Sequence, residues 1–167
     1  PEFHWLDFSV DDFTNGDAEL MSSIMDATDP DLSSFLKTRG GKLIVYHGLS
    51  DALSVATATV NYFNDMVDTT FEGSFNDAND SSRLFLAPGM GHCGGGPGPN
   101  NWDKLVPLVD WVENGMAPES LTVTHSTDGD IDDERLLCTF PQQARFSGPI
   151  GGENNPDNWI AANFSCQ

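Results

Sequence analysis

Two short apolar runs, Lys42–His47 and Arg83–Ala87, restrict the fold of this chain more than any other feature. The first reads Lys-Leu-Ile-Val-Tyr-His without alternation, whereas a strand with one solvated face would alternate apolar and polar residues. It therefore predicts a strand that is covered on both faces, as strands of a parallel sheet are. The second run has the composition of a buried strand, so we expect both runs in one parallel sheet.

Helical patterns surround these runs. Asp29 is suited to be an N-cap, Pro30 to the first helical position, and Gly40–Gly41 to the end of the same helix. The other predicted elements are a short helix at Asp17–Ala27, helices at Ser54–Val67 and Asp103–Asn114, a polar loop at Thr69–Ser82 and a strand at Pro118–His125. The order helix–strand–helix–strand–helix predicts an α/β fold.

The predicted sheet is small for a domain of this class. Two main strands are too few for a free-standing doubly wound sheet. The first residues, Pro1–Asn15, carry many apolar side chains and no recognisable first element. We therefore expect sequence upstream of this chain to complete the sheet. From Ser126 onwards turn signals dominate, and the acidic run Asp128–Asp133 is typical of a solvated loop.

Composition argues against two classes of partner. The 167 residues include 26 Asp and Glu against 7 Lys and Arg, a formal net charge of −19, which repels nucleic acid and anionic membranes. No run approaches the ~18 apolar residues of a membrane span. The hydrophobic fraction of 38% is enough to fill a core.

Two sequons, at Asn79 and Asn163, permit N-glycosylation in a secreted protein.

Each main strand is followed by a loop that carries an ionisable group. Ala87–Gly96 reads Ala-Pro-Gly-Met-Gly-His-Cys-Gly-Gly-Gly and holds His92 between glycines, which let the chain turn sharply. Asp51 lies four residues after His47, in the loop after the first strand. Sites in open α/β sheets form at the carboxyl ends of strands, and α/β-hydrolase triads run in the order nucleophile, acid, histidine. Asp51 followed by His92 fits the last two members, with Asp51 orienting the imidazole that moves the proton.

Other interpretations of these groups remain open. The sequence Gly-Leu-Ser-Asp-Ala around Ser50 is within one residue of a G-x-S-x-G elbow, so Ser50 is a rival nucleophile in a self-contained hydrolase. Asp51 is also typical of a turn-forming aspartate. His47 is expected to close the strand end with a structural hydrogen bond, with a ligand or second base as the alternatives. His4 and His125 have no partner in sequence and are interpreted as structural.

The three cysteines divide into a pair and a single residue. Cys138 and Cys166 bracket the turn-rich tail, and a bridge between them would close a segment with little core of its own. Cys93 is left over, as a reactive thiol or as half of a bridge to another segment, and we favour the bridge. No His, Cys or carboxylate pair has zinc-finger or EF-hand spacing, so we expect no metal site in this chain.

Four groups of motifs occur in order along the chain: Asp-Pro-Asp-Leu at 29–32, Gly-Gly-Lys-Leu-Ile at 40–44 with His47-Gly48 and Asp51, Pro-Gly-Met-Gly-His-Cys at 88–93 with Gly95-Gly96, and Trp-Val-Glu-Asn-Gly at 111–115 with Ala117-Pro118. Together these motifs resemble the tannase and feruloyl esterase family. The resemblance covers nearly the whole chain, but only the carboxyl-terminal part of the family's catalytic domain. It implies that residues 1–125 belong to an α/β-hydrolase fold completed by a missing upstream segment, and that residues 126–167 form a disulfide-closed tail packed on the same domain.

The resemblance also implies a site. The family uses a Ser–Asp–His triad, and a cysteine before its serine is bridged to the cysteine after its histidine. Carried over, His92 is the general base, Asp51 its partner and Cys93 half of that bridge, while Cys138–Cys166 is a tail disulfide. The family's Cys-Ser elbow, oxyanion donors and lid have no counterpart here, so an N-terminal segment or chain, disulfide-linked through Cys93, would supply the serine. A family lid can carry calcium, but no ligand for it is evident in this chain.

The implied activity is hydrolysis of a small aromatic ester, such as a gallate or a hydroxycinnamate, by a secreted serine esterase that forms an acyl-enzyme. Tannase and feruloyl esterase are not distinguished, because the lid that grips the acid and the alcohol lies outside the chain. The alternative is a non-catalytic fragment or a glycan- or partner-binding module in which the triad residues are remnants.

Overall fold

The computed structural model describes Leu6, Ser9, residues 11–14 and residues 17–167. His4 and most of the apolar opening, Pro1–Asn15, lie outside the described residues. Two helices come first, α1 at Asp11–Thr14 and α2 at Asp17–Met25. The second helix confirms the predicted one and ends two residues earlier. None of the described helices has the length and apolar character that crossing a membrane requires.

A parallel pair of strands lies at the centre. β1 (Leu43–Gly48) pairs with β2 (Ser82–Ala87) in a register that runs from Leu43 opposite Ser82 to Gly48 opposite Ala87. Both strands and their parallel direction are as predicted, each within one residue at either end. The crossover is made by α3 (Ala56–Phe71) and α4 (Phe75–Ala78). The predicted polar loop at Thr69–Ser82 is wrong, because α3 continues into it and Ser74 Oγ caps α4 by accepting the N–H of Asp77 at 3.2 Å.

Two apolar clusters cover the two faces of this sheet. Phe63, Met66 and Val67 of α3 pack against Leu84 on one face, together with Leu43 and Val45 of β1. The opposite face is a cluster around Phe85, Met90 and Val123, which also takes in Ile44 and Tyr46 of β1. Successive side chains of a strand point to opposite faces, so an apolar run is buried on both. This confirms the expectation for Lys42–His47.

The helix predicted to begin at Asp29 begins later. Asp29 Oδ1 accepts the N–H of Asp31 at 2.9 Å, and Asp31 Oδ1 accepts the N–H of Ser33 at 3.0 Å. Aspartate side chains that bond two residues ahead form turns, which compete with a helical start. A short π-helix at Ser34–Thr38 follows instead.

The last helix, α5, spans Val106–Asn114. It begins three residues later than predicted, because Asp103 Oδ1 accepts the N–H groups of Leu105 and Val106 from outside the helix. Helix starts are stabilised by such acceptors, so the aspartate marks the approach to the helix rather than its first turn.

The second half of the chain is antiparallel. β3 (Ser120–Thr127) and β4 (Asp130–Cys138) form a hairpin, and β5 (Ala144–Phe146) pairs with β6 (Phe164–Cys166). The interpretation of Asp128–Asp133 as a solvated loop is wrong: Asp128 and Gly129 form the hairpin turn and the rest is β4. Both turn residues have positive φ, at 53° and 96°, as two-residue hairpin turns require.

The tail is tied to the sheet in two ways. The predicted bridge between Cys138 and Cys166 is present and joins β4 to β6. Phe140 N–H donates to Leu84 O at 2.8 Å, which attaches the segment after β4 to β2. Short 3₁₀ helices at Pro156–Asn158 and Ala161–Asn163 lead into β6. Since β3 runs through residue 125, the two predicted parts share a hairpin, and their division as domains stays a prediction.

Candidate active site

The loop after β1 forms a turn that holds both the backbone and the side chain of Asp51. The N–H of Asp51 donates to Gly48 O at 3.1 Å, and Asp51 Oδ1 accepts the N–H groups of Leu53 at 2.8 Å and Ser54 at 3.0 Å. The side chain is only 3% exposed. The hydrogen bond from Ser54, then those from His92 and Leu53, lower the pKa of Asp51 to about 2 against an opposing effect of burial. The carboxylate is therefore ionised at neutral pH.

The loop after β2 is anchored by Met90, which is fully buried in the second apolar cluster. Gly91 N–H donates to Gly95 O at 2.9 Å, and Gly98 N–H donates to Gly89 O at 3.0 Å, so the loop closes on itself. Gly96 has φ of +90°, and a Cβ there would lie 2.4 Å from the carbonyl oxygen of Gly89. The glycines are therefore required for a compact loop that presents His92 from a fixed base.

The two loops are joined directly. Leu49 N–H donates to Ala87 O at 2.9 Å, and Ser50 N–H donates to Met90 O at 3.0 Å. Gly48 is the point of closest approach, since a Cβ on it would lie 2.3 Å from Met90 O. Because parallel strands end at the same edge of a sheet, residues following β1 and β2 become neighbours even though about forty positions separate them.

These contacts bring Asp51 and His92 together. His92 Nδ1 lies 2.8 Å from Asp51 Oδ2, and the imidazole is half-exposed while the carboxylate is buried. With the carboxylate ionised, Nδ1 carries the proton and Nε2 keeps a lone pair. Among the described residues, no protein group forms a hydrogen bond with Nε2. The arrangement can therefore accept a proton at Nε2 and hold the resulting positive charge against Asp51.

The pair opens on a cleft of about 360 Å³, whose lining includes Tyr46, His47, Thr59, Met90, His92 and Cys93. Cys93 is exposed and forms no disulfide within the described residues. It has φ of +60°, a conformation that non-glycine residues seldom adopt. The predicted bridge from Cys93 to another segment stays a prediction.

The structure gives His47 and Ser50, the other two candidates at this edge of the sheet, different surroundings. His47 lies near Ser54 O (2.9 Å) and Thr59 Oγ1 (2.8 Å), so the expected structural hydrogen bonds at the strand end are confirmed. Ser50 is exposed, and among the described residues no histidine forms a hydrogen bond with its hydroxyl. A nucleophile needs a base within hydrogen-bonding reach, which makes Ser50 a poor rival.

One pairing has no counterpart in the sequence reasoning. His125 Nδ1 lies 2.6 Å from Asp132 Oδ1, and Thr127 Oγ1 donates to Asp132 Oδ2 at 2.6 Å. The Thr127 hydroxyl, followed by His125, lowers the pKa of Asp132. The Asp-Gly pair at 128–129 is the signal that would have predicted the hairpin and brought these side chains together.

The other predicted groups lie away from the cleft. Asn79 is partly buried after α4, and Asn163 Nδ2 donates to Asn158 O at 2.8 Å, so glycosylation at both sites stays a prediction. Within the described part of the chain, no three His, Cys, Asp or Glu side chains are grouped so that they could hold a metal ion.

The match to a family profile is nearly as long as the chain. The profile described as "Tannase and feruloyl esterase" matches residues 3–162. A mono(2-hydroxyethyl) terephthalate hydrolase from Piscinibacter sakaiensis is 40% identical and aligns with 96% of this chain and 26% of its own length. A tannase from Aspergillus oryzae is 32% identical and aligns with 92% of this chain and 28% of its own length. The chain thus spans about a quarter of the length of these curated relatives.

Solved structures show the same fold. The crystal structure of an esterase from Aspergillus oryzae superposes with a TM-score of 0.82 at 26% identity, covering 100% of this chain and 35% of that chain. Feruloyl esterase B from the same organism superposes with a TM-score of 0.76 at 24% identity, over 90% of this chain and 32% of that one. The mixed α/β arrangement described above is therefore the arrangement found in these esterases.

Proposed function

Because this chain belongs to the tannase and feruloyl esterase family, we propose that it supplies the acid and the base of a serine triad to a secreted carboxylic-ester hydrolase acting on aryl esters. The observation that supports this is the 2.8 Å contact between His92 Nδ1 and Asp51 Oδ2, with His92 facing a cleft and Asp51 held from behind by two backbone N–H groups. A general base needs this combination of a fixed tautomer and an accessible second nitrogen.

In this mechanism His92 Nε2 takes the proton of a serine hydroxyl as the oxygen attacks the ester carbonyl carbon. Asp51 stabilises the imidazolium, which then gives its proton to the departing alcohol and leaves an acyl-enzyme. Water repeats the sequence, with His92 again accepting the proton, and releases the aromatic acid. Asp51 stays ionised throughout, in keeping with a pKa of about 2.

The serine in this proposal lies in an N-terminal segment or chain outside the 167 residues. Two observations support this: the relatives are about four times as long as the chain, and no histidine of the described residues forms a hydrogen bond with the Ser50 hydroxyl. Cys93, exposed beside His92, is the point of attachment, through a disulfide to a cysteine next to that serine. Such a bridge would hold base and nucleophile to the tolerance that proton transfer needs. Oxyanion donors and the lid lie in the same outside segment, which would complete the sheet.

The substrate class rests on the relatives. Their names refer to tannin, to feruloyl esters and to a terephthalate monoester, and the last two are esters of aromatic acids. A gallate or hydroxycinnamate ester is therefore the proposed substrate, with a terephthalate monoester as the third compound to assay. Secretion is supported by the Cys138–Cys166 disulfide, since disulfides persist in oxidising compartments.

The test uses the complete enzyme that contains this chain, assayed on methyl gallate, methyl ferulate and mono(2-hydroxyethyl) terephthalate. We expect His92→Ala to lower kcat by about 10³- to 10⁶-fold on whichever ester is cleaved, because the imidazole that accepts the serine proton is removed. His125→Ala is the matched control, since His125 also pairs with an aspartate but lies on the hairpin, and its kcat should stay within about twofold. Near-normal turnover by His92→Ala would overturn the proposal.

The competing proposal is a non-catalytic fragment or binding module, and the exposed, unpaired thiol of Cys93 is the observation that favours it. Peptide mapping of the complete protein under non-reducing conditions separates the two. A Cys93 peptide joined to a peptide that contains Cys-Ser supports the esterase. A free Cys93 thiol in the purified protein contradicts the proposed attachment.

A further inference from the structure

We propose that His47 is a positioning residue for Asp51: it fixes the carboxylate through Ser54 and is itself fixed by Thr59. The proposal rests on the esterase function above and extends it to a second imidazole at the same carboxylate. Its basis is an array of contacts that continues from His92 through Asp51 to helix α3.

Two side chains at the centre of the array, those of Asp51 and His47, are shielded from solvent. His47 is the fifth residue of β1, and its side chain is 11% exposed. Its Nε2 lies 2.9 Å from Ser54 O and 3.4 Å from Asp51 Oδ2, while its Nδ1 lies 2.8 Å from Thr59 Oγ1. Asp51 Oδ2 is the oxygen that also contacts His92. Two imidazoles therefore face one carboxylate oxygen.

The partners of His47 define its tautomer. Ser54 O is a carbonyl oxygen and can only accept, so the nitrogen facing it, Nε2, carries the proton. The neutral ring then has its lone pair on Nδ1, and the Thr59 hydroxyl donates to it. In this form the N–H of His47 donates to Ser54 O, and Nε2 lies 3.4 Å from Asp51 Oδ2.

The consequence for Asp51 follows from the position of Ser54. The N–H of Ser54 donates to Asp51 Oδ1, and the carbonyl of the same residue accepts from His47. Ser54 is thus held from both sides between the acid and the second imidazole. Because Thr59 lies on α3, the array also ties the loop after β1 to that helix. Loss of His47 leaves both oxygens of Asp51 less constrained, and His92 loses part of its orientation.

The experiment compares five variants with wild type and with His92→Ala, each as the complete enzyme, at one saturating and one limiting ester concentration. Active sites are counted by titration with a serine-reactive ester. His47→Leu removes both nitrogens, and we expect kcat to fall by about 10- to 100-fold with KM within about twofold, since a displaced catalytic group costs that much. His47→Gln places an amide N–H near the position of Nε2 and should recover kcat to within about fivefold of wild type.

Variants of Thr59 test the role of His47 independently. Thr59→Val removes the hydroxyl and should lower kcat by about three- to tenfold, whereas Thr59→Ser keeps it and should stay within about twofold. Thr57→Val is the matched control, because it makes the same change at an exposed threonine on the same helix and should leave kcat unchanged. A purely structural role would lower the melting temperature and the number of active sites, but not kcat per active site.

The outcomes separate this inference from the proposed function. If His47→Leu and Thr59→Val turn over at the wild-type rate per active site while His92→Ala is inactive, His47 has no positioning role and the triad assignment stands. If His47→Gln does not restore the kcat that His47→Leu loses, the argument that His47 acts through its hydrogen bond is wrong. If His92→Ala remains active, the proposed function itself fails.

Discussion

Among the described residues, the two His–Asp pairs that are joined by a hydrogen bond have opposite surroundings. Asp51 and His92 meet at the carboxyl ends of parallel strands, at a distance of 2.8 Å, whereas His125 and Asp132 meet on the antiparallel hairpin at 2.6 Å. In the first pair the carboxylate is 3% exposed and the imidazole 50% exposed. In the second the order is reversed, with the carboxylate 44% exposed and the imidazole 24% exposed.

The supports of the two carboxylates differ as well. Asp51 Oδ1 accepts two backbone N–H groups from its own loop. Asp132 is held instead by the hydroxyl of Thr127, a side chain on the neighbouring strand. Backbone donors in a closed loop keep their positions, while an exposed side-chain pair exchanges its contacts for water at little cost. A short His–Asp distance is therefore not enough for catalysis; the acid must be held from behind and the base must face open space.

The largest expected difference between the pairs is in turnover. Asp51→Asn turns an amide N–H towards His92, which favours the wrong tautomer, and should lower kcat/KM by about 10³- to 10⁴-fold. Asp132→Asn should stay within about twofold. The measurement is steady-state hydrolysis by the complete enzyme. Equal losses from both variants would mean that the hairpin pair takes part in catalysis.

The second test breaks the support of the first pair without touching either side chain. Gly48→Ala adds a Cβ that would lie 2.3 Å from Met90 O, so the two loops must separate, and we expect kcat to fall by about 10- to 100-fold. Gly94→Ala makes the same change in the loop of His92, where a Cβ meets nothing within 4 Å, and serves as the control. Wild-type turnover by Gly48→Ala would show that the close approach is not needed.

Acid stability provides a third, smaller contrast. The pKa of Asp51 is lowered from 3.8 to about 2, because backbone N–H groups and His92 favour its ionised form. A depressed carboxyl pKa stabilises the folded state above the unfolded value and loses that contribution as pH falls through about 2. The melting temperatures of wild type and Asp51→Asn should therefore converge between about pH 5 and about pH 2. The difference in melting temperature between wild type and Asp132→Asn should change less over this pH range, because that carboxylate is more exposed.

The smallest effect is expected at the hairpin itself. Thr127→Val removes the hydroxyl that donates to Asp132, and should lower the melting temperature by about 1–3 °C with kcat/KM unchanged. Thermal scans and ester assays on the same samples measure both quantities. A loss of activity without a loss of stability would place the hairpin pair in the functional site.

The sequence predicts the parallel strand pair well and the antiparallel hairpin only in part. The strands at 43–48 and 82–87 differ from their predicted bounds by one residue, because continuous apolar runs have few alternatives to a buried strand. In the hairpin, β3 confirms the strand predicted at Pro118–His125, with both bounds shifted by two residues. Its partner β4 is not predicted, because Asp130–Asp133 looks like solvated loop and its strand conformation depends on hydrogen bonds from β3. Local propensity is a weak guide where a partner strand provides the stabilisation.

The helix errors have the same origin. Asp29 has the properties of an N-cap, but its side chain bonds to Asp31 in a turn, and the N–H of Leu32 donates to Thr70 Oγ1 of α3 at 3.0 Å. Contact with a distant helix thus decides the conformation of a segment whose local signals favour an earlier helical start. Similarly, nothing near His47 in sequence indicates that Thr59 is its partner.

The amino-acid sequence by itself determined the parallel strand pair and the placement of Asp51 and His92 in loops at one edge of it. It could do so because hydrophobic pattern and strand direction are local properties that carry over into the sheet. The sequence also predicted that Asp51 orients His92. Only the tertiary structure decided which further groups meet: that Leu53 and Ser54 donate to Asp51, that His47 lies near the same carboxylate oxygen as His92, and that His125 contacts Asp132. These pairings depend on loop closure and strand register, to which residues from distant parts of the chain contribute.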